Sequence, residues 1–209
     1  MHEKRDESKT MNTKDYFDNA ASTWDEKFLT PRLSSFLEKL VPQFGLKPEQ
    51  TVLDVGTGTG VLIPYLVKEV RPEGSVTAID FSEKMVQECK TKHSHLQNVK
   101  IKLGNIEEKQ FPPQDFDAVI CFGVFPHLQN KQKVLQNIHS MLKPEGKLVI
   151  AHALSSEELK HHHQKVSKQV AHDLIPKIAD MKNLLEFADF TKISIKDAPG
   201  IYLCMCNKA

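Results

Sequence analysis

The stretch Leu53-Asp54-Val55-Gly56-Thr57-Gly58-Thr59-Gly60 decides the fold. Before and into it, Thr51 to Val55 is a short branched run suited to a buried strand; after it, Val61 to Val70 has a helical pattern broken by Arg71 and Pro72. Strand, glycine turn and helix in that order put a backbone bend at a sheet edge. Glycine supplies the dihedrals such a bend needs and lets a ligand lie against the main chain with no Cβ between them. The turn alone is not decisive, because dinucleotide enzymes use a relative of it spaced GxGxxG. Here the glycines fall at 56, 58 and 60, and Asp54 stands two positions before the first. A dinucleotide brings an anionic pyrophosphate to the helix N-terminus. Asp54 favours instead a cationic nucleoside that carries no phosphate.

Outward from the turn, short branched runs alternate with helical ones. Ser75 to Ile79 reads as a second strand and Ser82 to Lys92 as a helix with Ser82 at its cap. Val99 to Leu103, Asp117 to Phe122 and Lys147 to Ala153 read as further strands, with a helix from Lys131 to Leu142. Such alternation requires crossover connections and a largely parallel sheet covered on both faces. Upstream, Lys14 to Trp24 reads as a helix, and Leu33, Phe36, Leu37 and Leu40 recur at helical spacing after Thr30 and Pro31. Downstream, Ser156 to Asp173 reads as one long helix rich in His, Lys and Gln, and Met181 to Ala188 as another. Lys192 to Asp197 and Ile201 to Cys206 then form a hairpin about Pro199 and Gly200. The expected fold class is α/β, a Rossmann-like seven-stranded mostly parallel sheet with a C-terminal antiparallel strand. Residues 1–209 are expected to form a single domain.

Composition narrows the partners. The 209 residues carry 28 Lys and Arg against 27 Asp and Glu, a formal net charge of +1, so no general field draws in a nucleic-acid backbone or an anionic membrane. A small molecule is the simplest partner. The charged start, Met1 to Thr13, lacks a signal-peptide core, and no apolar run approaches the roughly 20 residues that span a bilayer. No integral membrane association and a cytoplasmic location are expected. Cys89, Cys121, Cys204 and Cys206 lack the paired spacing of a zinc or iron–sulfur site and read as buried reduced thiols.

Asp80 ends the second strand 20 residues past Gly60, where its carboxylate can accept both hydrogen bonds of a ribose diol. With Asp80 in place the chain resembles the class I S-adenosylmethionine-dependent methyltransferases, in the group that includes ubiquinone and menaquinone biosynthesis methylases. The resemblance covers about Tyr16 to Ala153 and is specific at Leu53–Gly60, Ala78–Met85, Phe111–Phe122 and Leu142–Val149. It implies that Asp54, Gly56, Thr57, Gly58 and Gly60 wrap the methionine part of S-adenosylmethionine, that Asp80 holds the ribose, and that Phe81 and Met85 wall the adenine. The family often has an Asp after strand three; Asn105 stands there instead and can accept through its carbonyl oxygen, with Ile106 packing on the adenine face. The resemblance also implies that Phe122 closes the fourth strand beside the cofactor and that Gly123 to His127 should reach the reactive edge.

Methyl transfer from a sulfonium is a direct displacement, so the protein must align the acceptor and exclude water. The resemblance implies that this cover comes from the N-terminal helices, here residues 14–40 as an N-terminal helical cover, and from the insertion after strand five, here residues 155–185 as a helical lid insertion. Tyr16, Phe17 and Trp24 are candidates for an aromatic lid, with Tyr16 as a cofactor contact. Seven of ten histidines lie from position 127 onward, at 127, 139, 152, 161, 162, 163 and 172. A neutral His127 can act as general base. On one long helix His161 and His172 would share a face, as would His162 and Asp173, but neither pair could chelate an ion unaided. A transition-metal site recruiting His127 or His152 would make this a metal-assisted methyltransferase. A non-catalytic S-adenosylmethionine-binding regulatory protein and a nicotinamide oxidoreductase are the other readings, the last disfavoured by the glycine spacing.

Overall fold

The computed structural model describes residues 13–108 and 111–209; the charged start as far as Asn12 lies outside the described residues. Three short helices come first, α1 (Thr13–Ala20), α2 (Trp24–Phe28) and α3 (Pro31–Leu40), with a 3-10 turn at Ala21–Thr23 dividing the first two. Thr30 starts α3 by accepting from Leu33 N at 3.2 Å, and Pro31 occupies a first-turn position where no N–H is needed. The 3-10 turn interrupts the expected helix from Lys14 to Trp24, and α1 and the turn pack against Glu83–His93.

The sheet elements follow: β1 (Thr51–Val55), α4 (Ile63–Val70), β2 (Ser75–Asp80), α5 (Glu83–His93), β3 (Val99–Leu103), β4 (Phe116–Phe122), α6 (Lys131–Met141) and β5 (Leu142–His152). Ser82 caps α5 by accepting from Met85 N at 3.1 Å, and Asn130 caps α6 through Lys133 N at 3.0 Å. The last elements are α7 (Ser156–Val166), α8 (Ile178–Phe187), β6 (Phe190–Ala198) and β7 (Ile201–Lys208). Strand order is β3-β2-β1-β4-β5-β7-β6. The first five strands are mutually parallel, and β7 runs antiparallel between β5 and β6. This is the Rossmann-like α/β sheet expected, with a single antiparallel strand.

The order reverses at β1: β2 lies on one side and β4 on the other. Chains leaving these strands diverge to opposite faces and open a crevice at their carboxyl ends. Alternation along β1 feeds both cores. Val52 packs with Leu37, Leu40, Leu62 and Leu66 on one face, while Leu53 and Val55 pack with Val134, Ile138, Met181 and Leu185 on the other. All four cysteines are free and buried.

The helix expected over Ser156–Asp173 stops at Val166. Ser155 and Glu158 form a capping box at its start, but Ser167 is extended at φ −163° and its hydroxyl accepts from Gln169 N at 3.2 Å. A serine that bonds local main chain competes with helix continuation. Residues 167–177 therefore leave the helix, and His172 and Asp173 do not share faces with His161 and His162.

Candidate functional site

Asp54 is the buried floor of the crevice. Its side chain is 1% exposed, and Oδ2 accepts from Thr57 Oγ1 at 2.7 Å. Burial pushes its carboxyl up to about 7, with a further push from the charge of Asp80 and only partial relief from Thr57. Asp80 accepts from Gly58 N at 2.8 Å and from Ser82 N at 2.9 Å, one donor on each oxygen. Burial also raises the Asp80 carboxyl, against these amides. Two buried carboxyl groups, aimed by protein donors and short of positive partners, can accept hydrogen bonds from a ligand, and the ionised form of Asp54 would favour a cationic one.

The glycines of the turn serve different ends. A Cβ on Gly56 would stand 2.3 Å from Val124 Cγ2, so Gly56 is bare to admit the segment after β4. A Cβ on Gly60 would meet the His93 ring at 2.5 Å. At Gly58, with φ +55°, the nearest atom is Trp24 Nε1 at 3.9 Å, and here the main chain is open to the crevice. Of the three, Gly58 is the position where a ligand can approach.

Two cavities share Gly56, Asp80, Phe81, Val124 and His127 and form one continuous crevice. The smaller, about 120 Å³, is lined by Asp54, Thr57, Gly58, Met85 and Phe122 under Phe17 and Trp24. The larger, about 460 Å³, is bounded by Gly104, Asn105, Ile106 and Glu107. The sequence-predicted residues therefore come together, with one division: Met85 lies with the Asp54 side, whereas Asn105 and Ile106 lie beyond Asp80. The Asn105 side-chain oxygen Oδ1 accepts from Glu107 N at 3.0 Å, which leaves it one lone pair.

Over this crevice the aromatic cover centres on Phe17. Its ring lies 5.2 Å from Tyr16, 5.7 Å from Trp24, 5.9 Å from Phe81 and 5.2 Å from His127. Phe17 and Trp24 line the cavity; Tyr16 does not and packs edge-on against Phe17 instead. Helical spacing points the two neighbours in different directions, and the sequence could not say which faced inward. The cover is bonded down at two points. Asp18 accepts from Ser82 Oγ at 2.5 Å, and Asp25 accepts from Thr59 Oγ1 at 2.5 Å and Lys92 Nζ at 2.6 Å.

Of the histidines, His127 reaches the crevice at the end of a 3-10 turn, Phe125–His127, and its Nδ1 lies 2.7 Å from Asp173 Oδ2. His163 is buried, and its Nδ1 lies 2.7 Å from the Asp173 carbonyl. His152 is buried near these rings, with Nε2 unpartnered among the described residues; burial drives it down to about 3, so it is neutral. His139 packs edge-on against Phe190, and His161 and His172 are exposed. Among the described residues no group of three or more His, Cys, Asp or Glu side chains stands where it could hold a metal ion. The sequence places Asp173 and His163 on one long helix and gives no sign that they meet at the turn carrying His127, nor that Val124 packs against Gly56.

A doubly wound parallel sheet with a bare turn after β1, an acid beneath it and a second acid ending β2 defines the class of Rossmann-like methyltransferases. A family model for a methyltransferase domain matches residues 46–192. The ubiquinone/menaquinone biosynthesis C-methyltransferase of Hydrogenovibrio crunogenus is 31% identical over 153 residues, 69% of this chain and 59% of the relative. The demethylmenaquinone methyltransferase of Listeria welshimeri is 40% identical over 100 residues, 46% of this chain and 42% of the relative. The chain thus matches about half the length of these relatives. A solved S-adenosylmethionine-dependent methyltransferase of Aquifex aeolicus superposes with a TM-score of 0.66 at 27% identity, covering 83% of this chain and 89% of that one. The chain belongs to the methyltransferase-domain family, whose cofactor is S-adenosylmethionine. No helix among the described residues is long and apolar enough to cross a membrane.

Proposed function

We propose that this chain transfers the methyl group of S-adenosylmethionine to a small-molecule acceptor, acting in the cytoplasm as one domain over residues 1–209. The observation that carries the reading is the pairing of a buried, cation-deficient Asp54 with the open main chain at Gly58. S-adenosylmethionine supplies a methyl carbon activated by a positive sulfur. Asp54 and the Gly56–Gly60 turn hold the methionine portion, Asp80 the ribose hydroxyls, and Phe81, Asn105 and Ile106 the adenine. Phe122 and Phe17 exclude water beside the sulfur, and ring faces favour its charge. His127 faces the acceptor and removes its proton as general base. Residues 14–40 cover the cofactor, and residues 155–185 cover the acceptor. The balanced charge of +1 supports a small acceptor over a nucleic acid.

Calorimetry with S-adenosylmethionine and S-adenosylhomocysteine tests the cofactor assignment; folded protein that takes up neither sinks it. A panel of small hydroxylated and aminated acceptors then tests transfer. His127→Gln should keep cofactor affinity and lower turnover by about 10²- to 10³-fold, within the usual reach of a general base.

A further inference from the structure

His127 closes the turn after β4, and Asp173 lies 46 positions later in the loop that leaves α7, yet Nδ1 and Oδ2 meet at 2.7 Å. Both side chains are shielded, at 12% and 13% exposure. Asp173 is held from a second direction as well. Its backbone carbonyl accepts from Nδ1 of the buried His163 at 2.7 Å. Burial lowers the pKa of His163, so that ring is neutral and its proton must sit on Nδ1 to make this bond. One loop residue is thus gripped twice, through its carbonyl by α7 and through its carboxylate by the turn after β4. At the other edge of the His127 ring, Nε2 makes no hydrogen bond among the described residues, while His127 lines both halves of the crevice.

We propose that Asp173 is a positioning residue for methyl transfer: its carboxylate accepts the Nδ1 proton of His127 and leaves Nε2 as the basic nitrogen presented to the acceptor. This rests on the reading of His127 as the base. A carboxylate behind an imidazole selects one tautomer, fixes the ring plane and stabilises the charged ring once the proton has moved. The step balances on these groups alone. Nε2 takes a proton from the acceptor, the acceptor's freed electron pair forms the bond to the methyl carbon, and the carbon–sulfur pair returns to sulfur and cancels its charge. The arrangement serves an acceptor that must lose a proton to attack, such as a hydroxyl or a carbon acidified by a neighbouring hydroxyl or carbonyl. A tertiary amine or thioether attacks without proton loss and would gain nothing from it.

The test is nitrogen-15 long-range imidazole NMR on the full chain bound to S-adenosylhomocysteine, read beside turnover. In the unaltered protein His127 should show the Nδ1–H tautomer. Asp173→Ala should move it toward Nε2–H, the form a free imidazole prefers, and lower kcat by about 10²-fold while KM and S-adenosylhomocysteine affinity stay within about threefold. Asp173→Glu should recover part of the loss. Asp173→Asn keeps the side-chain shape and guards against loss of the loop; it should lower kcat in the same direction. An unchanged tautomer with unchanged kcat in the Asp173 variants, while His127→Gln is still impaired, overturns the positioning role alone. Full turnover in His127→Gln overturns the base assignment beneath it.

Discussion

The backbone N–H of Gly58 donates to Oδ2 of Asp80 at 2.8 Å, so the turn after β1 and the acidic end of β2 are one bonded unit. Ser82 N holds the other oxygen at 2.9 Å. Each oxygen keeps a lone pair, and the pair of them matches a ribose diol. Asp80→Asn replaces one acceptor oxygen with a donor that must face either Gly58 N–H or Ser82 N–H, donor against donor. S-adenosylhomocysteine affinity should fall about 10- to 100-fold, roughly 1.4 to 2.8 kcal/mol. An unaltered Kd by calorimetry would remove Asp80 from the cofactor site.

Asp54 should couple cofactor uptake to pH. Burial raises its carboxyl to about 7, so the folded protein holds this proton more tightly than the unfolded chain does. Its contribution to stability is therefore fully present below the ordinary carboxylate range and is lost as pH rises to about 7. Asp54→Asn should raise the Tm of the cofactor-free protein at pH 8 and change it little at pH 5. Cofactor binding should behave oppositely, since a cationic ligand favours the ionised carboxylate. Below pH 7, S-adenosylmethionine uptake should release a proton, seen as a dependence of binding heat on buffer ionisation enthalpy. Equal heats in all buffers would show that Asp54 is already ionised.

Gly56 and Gly58 should respond differently to alanine. At Gly56, φ is +67° and the added Cβ would meet Val124 at 2.3 Å. Gly56→Ala should destabilise by about 2 to 4 kcal/mol, part of it restored by Val124→Ala in a double-mutant cycle of denaturant unfolding. Gly58→Ala has only its positive φ to pay for, about 1 kcal/mol, and should show its main effect as lost cofactor affinity. Equal stability losses with no coupling to Val124 would contradict this division of roles.

Asp25 fastens the aromatic cover to the glycine turn through Thr59 and to α5 through Lys92. The Lys92 and Asp25 side chains are 34% and 31% exposed, so the ion pair itself contributes on the order of 1 kcal/mol or less. Asp25→Ala should leave global stability nearly unchanged and speed proteolysis between residues 24 and 30, with faster cofactor release in stopped-flow measurements. A release rate equal to that of the unaltered protein would mean that the cover does not gate the site.

The chain order of strands and helices was legible because burial of a parallel strand demands continuous branched residues, while the covering helices repeat every three to four positions. Ser82 and Pro31 announced helix starts through chemistry confined to a few residues. Where competing local bonds decided the outcome, the pattern misled. Helical spacing continues past Val166 in the sequence, but the Ser167 hydroxyl accepts main-chain hydrogen bonding and the chain turns. The choice between Tyr16 and Phe17 was equally hidden, since adjacent aromatics on a short helix differ only in which way the helix is rotated on its support.

Sequence by itself determined the sheet class, the acid-and-glycine turn and the acid that ends β2, because each is made of residues close along the chain whose spacing carries its own geometry. Tertiary structure alone decided that Val124 fills the space beside Gly56, that Phe17 roofs the crevice, and that Asp173 stands behind His127. These partners are joined by packing of elements distant in sequence. Such pairings are set by the free energy of the whole core, and nothing in the local pattern of either partner records them.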